Sequence, residues 1–295
     1  MTTPRPAAHA SASAAAGIAG IADIACIGGG HMARALIGGW IAGGVPAGRI
    51  HVADPQPAQR ALLASAFAGL DLYAANGDAA ARASVWLLAV KPQQMHAAAA
   101  GLAPLVATAR PLVISVAAGI RAHDLARWLG PGATIVRSMP NRPALIGAGI
   151  TALYAAAGVD AAQRALAQSL LEAVGKVVWV GAEDELDAVT AVSGSGPAYF
   201  FLLIELLEAA GVAQGLSSPM ARRLAIETAY GAARLARESP DDPATLRGQV
   251  ASPGGTTAAA LAVLDAADLR AIVAAAVAAA TRRSRELAAE FGRGP

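Results

Sequence analysis

Ile24-Ala25-Cys26-Ile27-Gly28-Gly29-Gly30-His31-Met32-Ala33 joins a short apolar run to three glycines and then to a helix-favouring stretch that continues to about Gly43. The apolar run suits a buried strand, and the glycines let the backbone turn sharply out of it. Gly28, Gly30 and Ala33 complete the spacing G-x-G-x-x-A. A helix that starts just after such a turn presents unbonded N–H groups and the positive end of its dipole. In a strand–turn–helix context that is a site for the pyrophosphate of a dinucleotide. The alternative is a tight glycine turn that only packs helix on strand.

The stretches that follow repeat the alternation. Strands are expected at Ile21–Ile27, Ile50–Ala53, Val85–Val90, Leu112–Val116, Thr134–Arg137 and Val177–Val180, separated by Ala-rich helical segments. This is the signature of an α/β fold, a Rossmann-type doubly wound sheet with mostly parallel strands. After Glu183 the strand signals fade, and the chain reads as helices punctuated by Gly, Ser and Pro. The expected organisation is a disordered tail over residues 1–20, a dinucleotide-binding domain over 21–182 and an all-helical C-terminal domain over 183–295.

Asp54 follows the second strand, where a carboxylate accepts hydrogen bonds from an adenosine ribose and repels a 2′-phosphate. It also precedes Pro55, so it equally suits the start of an Asp-Pro turn. NADPH and NADH both remain open as cofactors. Three further strand tips are built from small or distinctive residues: Ala89-Val90-Lys91-Pro92, Val116-Ala117-Ala118-Gly119 and Met139-Pro140-Asn141. At the carboxyl edge of a doubly wound sheet such tips face the cofactor, although each also serves as an ordinary strand-ending turn.

Two loops mark the C-terminal part. Ser193-Gly194-Ser195-Gly196-Pro197-Ala198-Tyr199 reads as a small-residue turn that enters a long helix with Pro197 at its start. Ser195 is no hydrolase nucleophile, because none of the five histidines lies in that half to act as its base. Ala251-Ser252-Pro253-Gly254-Gly255-Thr256-Thr257 leads into another helix. Glycines followed by threonines at a helix start form a nest of N–H donors with hydroxyls beside it, suited to a carboxylate or a phosphate. A helix cap serving only its own backbone is the alternative.

Composition narrows the functional classes. The chain has 295 residues, 55% hydrophobic and 15% charged, enough for one large core or two medium ones. A formal charge of +2 with scattered basic residues leaves no nucleic-acid footprint. Cys26 is the single cysteine, so an intramolecular disulfide is impossible and a reducing, cytoplasmic location is expected. His9, His31, His51, His96 and His123 show no paired ligand spacing, so no metal site is expected. The most apolar helix candidate, Pro197 to Ala213, is interrupted by Glu205 and Glu208, so no membrane span is expected.

Taken in order from about Ile24 to Leu287, these segments resemble the pyrroline-5-carboxylate reductases, most specifically in Ala89-Val90-Lys91-Pro92, Ser193 to Tyr199 and Ser252 to Thr257. The resemblance implies NAD(P)H-dependent reduction of 1-pyrroline-5-carboxylate to L-proline, the last step of proline biosynthesis. It also implies that the helical domain dimerises, giving a homodimer or a higher homo-oligomer such as a decamer. By position, it puts cofactor contacts at Ile27, Gly28, Gly29, Gly30, His31, Met32, Asp54, Asn76, Ala89, Val90, Lys91, Pro92, Val116, Ala117 and Ala118. Substrate contacts fall at Glu183, Gln249, Thr256 and Thr257. His31 departs from the more common Asn or Gln, and Arg142 from the frequent Thr, both near the expected cofactor.

The chemistry of a cyclic imine bearing a carboxylate sets what the site must do. It must hold the anion, present the C=N carbon to the nicotinamide and allow the ring nitrogen its proton. Ser252, Gly254, Gly255, Thr256 and Thr257 are the candidates for the carboxylate, with Thr257 as the catalytic hydroxyl near the ring nitrogen. Glu183 suits the cationic nitrogen or a structural helix start. Lys91 suits the cofactor, with a general-acid role as its rival. A related hydroxyacid dehydrogenase, another imine reductase and a non-catalytic nucleotide sensor are the competing functions.

Overall fold

The computed structural model describes residues 22–293. The expected tail and Ile21 lie outside them. Eight strands form one sheet: β1 (Ile24–Ile27), β2 (Ile50–Ala53), β3 (Asp71–Tyr73), β4 (Val85–Leu88), β5 (Leu112–Ser115), β6 (Thr134–Met139), β7 (Gly149–Ala155) and β8 (Gly175–Trp179). Their order is β3-β2-β1-β4-β5-β6-β7-β8, with every neighbouring pair parallel except β6 and β7. Chain order reverses between β1 and β4, which creates the crevice where ligands of such sheets bind.

The sequence of β1 explains how the sheet is buried on both faces. Ile24 and Cys26 point into a core with Leu36, Ile37 and Trp40 of helix α1 (His31–Ala42). Ala25 and Ile27 point the other way, into a core with Met95 and Leu102 of another helix, which runs Pro92–Ala109. All four strand residues have no exposed surface. A strand buried on both faces is apolar without alternation, as a central parallel strand should be. Each large side chain so buried contributes about 1.5–3 kcal/mol. The tryptophan N–H groups are satisfied inside these cores: Trp40 donates to the Leu170 carbonyl at 2.8 Å, and Trp86 to that of Ala83 at 2.9 Å.

The remaining helices beside the sheet are α2 (Pro57–Ala66), α3 (Asn76–Ala80), α4 (Pro92–Ala109), α5 (Ala122–Leu129), α6 (Ala161–Glu172) and α7 (Glu185–Val189). Two strands escaped the sequence reading. β3 is a three-residue edge strand with no buried residue, so it shows no apolar run. β7 is Gly-Ile-Thr-Ala-Leu-Tyr-Ala, whose glycine and alanines dilute a strand signal, and it pairs antiparallel with β6.

The chain forms two compact units. One comprises the sheet and its helices to Gly194, together with the chain from Ala280 onward; the other is Ser195–Ala279. The division falls after Gly194 and again before Ala280, so residues 183–194 and the end of the last helix group with the sheet, whereas the sequence placed one boundary at Glu183. Specific bonds keep those segments with the sheet. Arg121 pairs with Asp187 at 2.7 Å, Ser284 donates to the same carboxylate at 2.7 Å, and Arg127 donates to the Gly292 carbonyl.

Ser195–Ala279 holds α8 (Gly196–Ala213), α9 (Ser218–Glu238), α10 (Pro243–Val250), α11 (Thr256–Ala266) and the first part of α12 (Leu269–Gly292). Gly211 lets α8 and α9 approach, since a Cβ there would lie 3.2 Å from that of Ala221. The expected turn at Ser193–Gly196 is instead helical. Thr190–Gly194 forms a π-type turn between α7 and α8, in which Thr190 Oγ1 donates to the Leu186 carbonyl and Ser193 Oγ to that of Val189. Side-chain hydroxyls bonded back along the helix carry the chain through without a break. The run Glu185–Ala213 is consequently 29 residues and contains an 18-residue window of mean hydropathy 1.4, long and apolar enough to cross a bilayer by length and composition alone.

Candidate active site

The carboxyl ends of β1, β2, β4 and β5 are brought level by backbone bonds that continue past the strands. Gly28 N–H donates to the Ala53 carbonyl at 2.8 Å, Ala89 N–H to that of Ile27 at 2.8 Å, and Val116 N–H to that of Leu88 at 3.2 Å. Every cofactor candidate therefore sits on one edge of the sheet. Ile27 to Met32 lie at the tip of β1, Asp54 follows β2, Asn76 begins α3 after β3, Ala89 to Pro92 follow β4, and Val116 to Ala118 follow β5.

The glycine loop fits the backbone of a dinucleotide. Gly28 has φ +97°, and a Cβ on it would lie 2.9 Å from the Ala89 carbonyl oxygen, so only glycine lets the β1 tip pass against the β4 tip. Beyond its chain neighbours, nothing lies within 4 Å of a Cβ added at Gly30, so the loop is open there. Gly30 caps α1 without any side-chain hydrogen bond, and the first turn holds no acidic residue. An uncapped, unopposed helix start of this kind favours an anion.

Asp54 does more than the sequence indicated. Its Oδ2 accepts Gly29 N–H at 3.0 Å and its Oδ1 accepts Gln56 N–H at 2.9 Å. The carboxylate thus holds the glycine loop and also closes the Asp-Pro turn, so the two readings of this residue coexist. Gln59 donates to the Gly29 carbonyl, and Arg60 Nη1 donates to the Asp54 carbonyl at 2.7 Å. Neither Gln59 nor Arg60 was legible, because both act through the backbone of the loop.

The other candidates divide between the two units. Lys91 is exposed at the start of α4; its carbonyl accepts Gln94 N–H at 2.9 Å, and its side chain makes no hydrogen bond or ion pair among the described residues. His31 and Arg142 are likewise exposed. Asn141 is buried, and its Oδ1 accepts Ile150 N–H at 3.0 Å, which fixes the start of β7. Gly194 meets the β6 tip so closely that a Cβ would lie 2.6 Å from Met139 Cε.

Glu183 belongs to a charged cluster that the sequence did not reveal. Its Oε1 accepts Arg137 Nη1 at 2.9 Å and Ala122 N–H at 2.7 Å, leaving Oε2 without a partner among the described residues. Arg137 is buried within β6, and burial pulls its guanidinium below the usual value while the Glu183 charge opposes that pull. The available signal was an arginine inside the apolar strand Thr-Ile-Val-Arg-Ser-Met.

The second loop lies in the helical unit. Gly255 N–H donates to the Ser252 carbonyl at 3.0 Å, and Gly254 adopts φ +71°. The turn ends at α11, whose cap Gly255 receives no side-chain bond and whose first two residues are Thr256 and Thr257. Among the described residues the hydroxyls of Ser252, Thr256 and Thr257 make no hydrogen bond, so they do not cap their own helix. Gln249, at the end of α10, donates from Nε2 to Asp241 at 2.8 Å.

Two family models match the chain: one described as pyrroline-5-carboxylate reductase dimerisation over residues 183–287, and one described as NADP oxidoreductase, coenzyme F420-dependent, over residues 23–119. The pyrroline-5-carboxylate reductase of Pseudomonas aeruginosa is 49% identical over 269 residues, covering 91% of this chain and 98% of its own. Among solved structures, a pyrroline-5-carboxylate reductase from Coxiella burnetii is 40% identical with a TM-score of 0.85, covering 90% of this chain and 98% of that one. The pyrroline carboxylate reductase of Plasmodium falciparum with NADP bound is 27% identical with a TM-score of 0.80, over 90% and 98% of the two chains.

Proposed function

This chain belongs to the pyrroline-5-carboxylate reductase family, and from that premise we propose how its residues divide the work. The reaction is the reduction of 1-pyrroline-5-carboxylate to L-proline, the last step of proline biosynthesis. NAD(P)H, when bound, supplies the hydride that adds to the C=N carbon.

The cofactor is held along the carboxyl edge of the sheet. Gly28, Gly29 and Gly30 with the start of α1 receive the pyrophosphate, while Ala89 to Pro92 and Val116 to Ala118 line the nicotinamide end. Lys91, unpaired and exposed, contacts the cofactor and leaves the proton to others. The substrate carboxylate is held by Ser252, Gly254, Gly255, Thr256 and Thr257. The observation that carries this assignment is that α11 begins with an uncapped turn and three hydroxyls that serve no partner among the described residues. Fixing the anion orients the ring, which is the main contribution a protein can make to such a transfer.

Reduction of the imine takes up one hydride and one proton. Thr257 hydrogen-bonds the ring nitrogen and relays that proton, because an alcohol is too weak an acid to be its source. Glu183 contributes its unengaged Oε2 to the cationic nitrogen, with Arg137 and Ala122 N–H fixing the carboxylate's other oxygen. Gln249 completes the substrate set through the amide oxygen that its bond to Asp241 leaves open.

The protein is a homo-oligomer acting on a small molecule. We place it in the cytoplasm, assembled as a dimer or as dimers grouped into a ring such as a decamer. The apolar surface of Glu185–Ala213 then meets another copy of the chain, with neither membrane nor nucleic acid as a partner; its position within the dimerisation match supports this. Assay of nicotinamide oxidation with pyrroline-5-carboxylate, for the wild type and Thr257→Val, tests the site. A normal cofactor Kd with reduced turnover is expected of the variant, and unchanged kcat and KM would sink the role of Thr257.

A further inference from the structure

The loop after β2 carries an arrangement whose consequence is a choice between the two nicotinamide cofactors. NADH and NADPH differ only at the adenosine 2′ position, and in sheets of this kind that position lies at the end of the second strand. Here the residue at that place, Asp54, has both carboxylate oxygens bonded to backbone N–H groups, of Gly29 at 3.0 Å and of Gln56 at 2.9 Å. A side chain held from two sides cannot swing away from a ligand. No Lys or Arg nitrogen pairs with this carboxylate among the described residues, so its charge is not neutralised by a cation.

One cation does stand close by. Arg60, in the first turns of α2, is tethered through Nη1 to the Asp54 carbonyl and pairs with no carboxylate. Its remaining guanidinium N–H groups have no partner among the described residues.

We propose that Asp54 and Arg60 together set the cofactor preference of this enzyme. The fixed Asp54 carboxylate accepts the ribose 2′-hydroxyl of NADH and repels a 2′-phosphate, so NADH is the preferred donor. Arg60 is the latent phosphate ligand, through which NADPH is accepted to the extent that it is accepted at all. Each oxygen of Asp54 has a second lone pair beyond its backbone bond, which leaves an acceptor for the hydroxyl. A phosphate brings up to two negative charges to the same spot, and like charges held a few ångströms apart discriminate strongly.

This inference rests on the assignment of the β2 tip to the cofactor, and two measurements keep the two claims apart. The first is the equilibrium Kd of NADH and of NADPH, by fluorescence titration without substrate; the second is kcat/KM for each with pyrroline-5-carboxylate. The wild type should favour NADH by about tenfold or more in both quantities at low salt. The margin should shrink as ionic strength rises, because exposed charges are screened. Asp54→Asn, nearly isosteric but uncharged, should move the ratio about tenfold or more toward NADPH, and adding Arg60→Ala should reverse that gain. The wild-type preference needs no variant to fold, so the proposal stays testable if Asp54→Asn does not. A wild type that favours NADPH, or a well-folded Asp54→Asn with an unchanged ratio, overturns the proposal while leaving the reductase assignment standing. Binding of neither nucleotide overturns both.

Discussion

Trp40, Trp86 and Met95 of the sheet unit expose at most 1% of their surface, whereas Phe200, Phe201 and Val263 of the helical unit expose 62%, 61% and 69%. The difference is general. Within Ser195–Ala279 the buried residues are Gly196, Ala221 and Ala225, none with a large side chain. One chain is enough to complete two cores around the sheet. The helical unit, equally apolar in sequence, leaves its leucines and phenylalanines uncovered. Patches of that extent on a protein surface mark an interface. They lie within the dimerisation match, and the proposed contact with another copy of the chain would cover them.

Substitutions can break this contrast at different points. The largest effect should come from Leu202→Glu combined with Leu206→Glu, one turn apart and both 54% exposed. Charges there leave the sheet cores untouched but cost about 5 kcal/mol or more when buried between subunits. Sedimentation should show monomers and turnover should fall more than about a hundredfold; a variant that stays oligomeric would remove α8 from the interface.

Arg137→Met acts on the other unit and should destabilise it by about 3 kcal/mol, because Glu183 keeps its charge and loses its cation in a largely buried setting. Thermal unfolding should show a lower midpoint with the oligomeric state unchanged. Gly28→Val should cost about 1–3 kcal/mol in backbone strain and contact with the Ala89 carbonyl, and should weaken nucleotide binding more than it lowers the melting temperature. At the small end, Arg234→Ala removes an exposed i,i+4 pair with Glu238 and should leave melting and turnover unchanged within error.

The sheet was largely legible because its central strands are unbroken apolar runs, and so was the gathering of the cofactor candidates on one edge, because the glycine turn and the tips after β1, β4 and β5 are local signals. β3 and β7 were not, since a short exposed edge strand and a Gly/Ala-rich antiparallel strand lack that signal. The π-type turn at Thr190–Gly194 was hidden by small residues that read as a flexible turn. Arg60, Gln59 and the Arg137–Glu183 pair depend on contacts between residues far apart in the chain. Those contacts exist only once the strands are aligned. The threonine loop was legible in composition, but only the structure separates its unengaged hydroxyls from an ordinary helix cap.

The central claim, that this chain reduces pyrroline-5-carboxylate by hydride transfer, is tested most directly by following the hydride itself. Enzyme, pyrroline-5-carboxylate and NADH or NADPH carrying two deuteriums at nicotinamide C4 should yield proline with one deuterium at C5, the former C=N carbon. Proline without deuterium, or no proline from folded and oligomeric protein with either cofactor, would contradict the account.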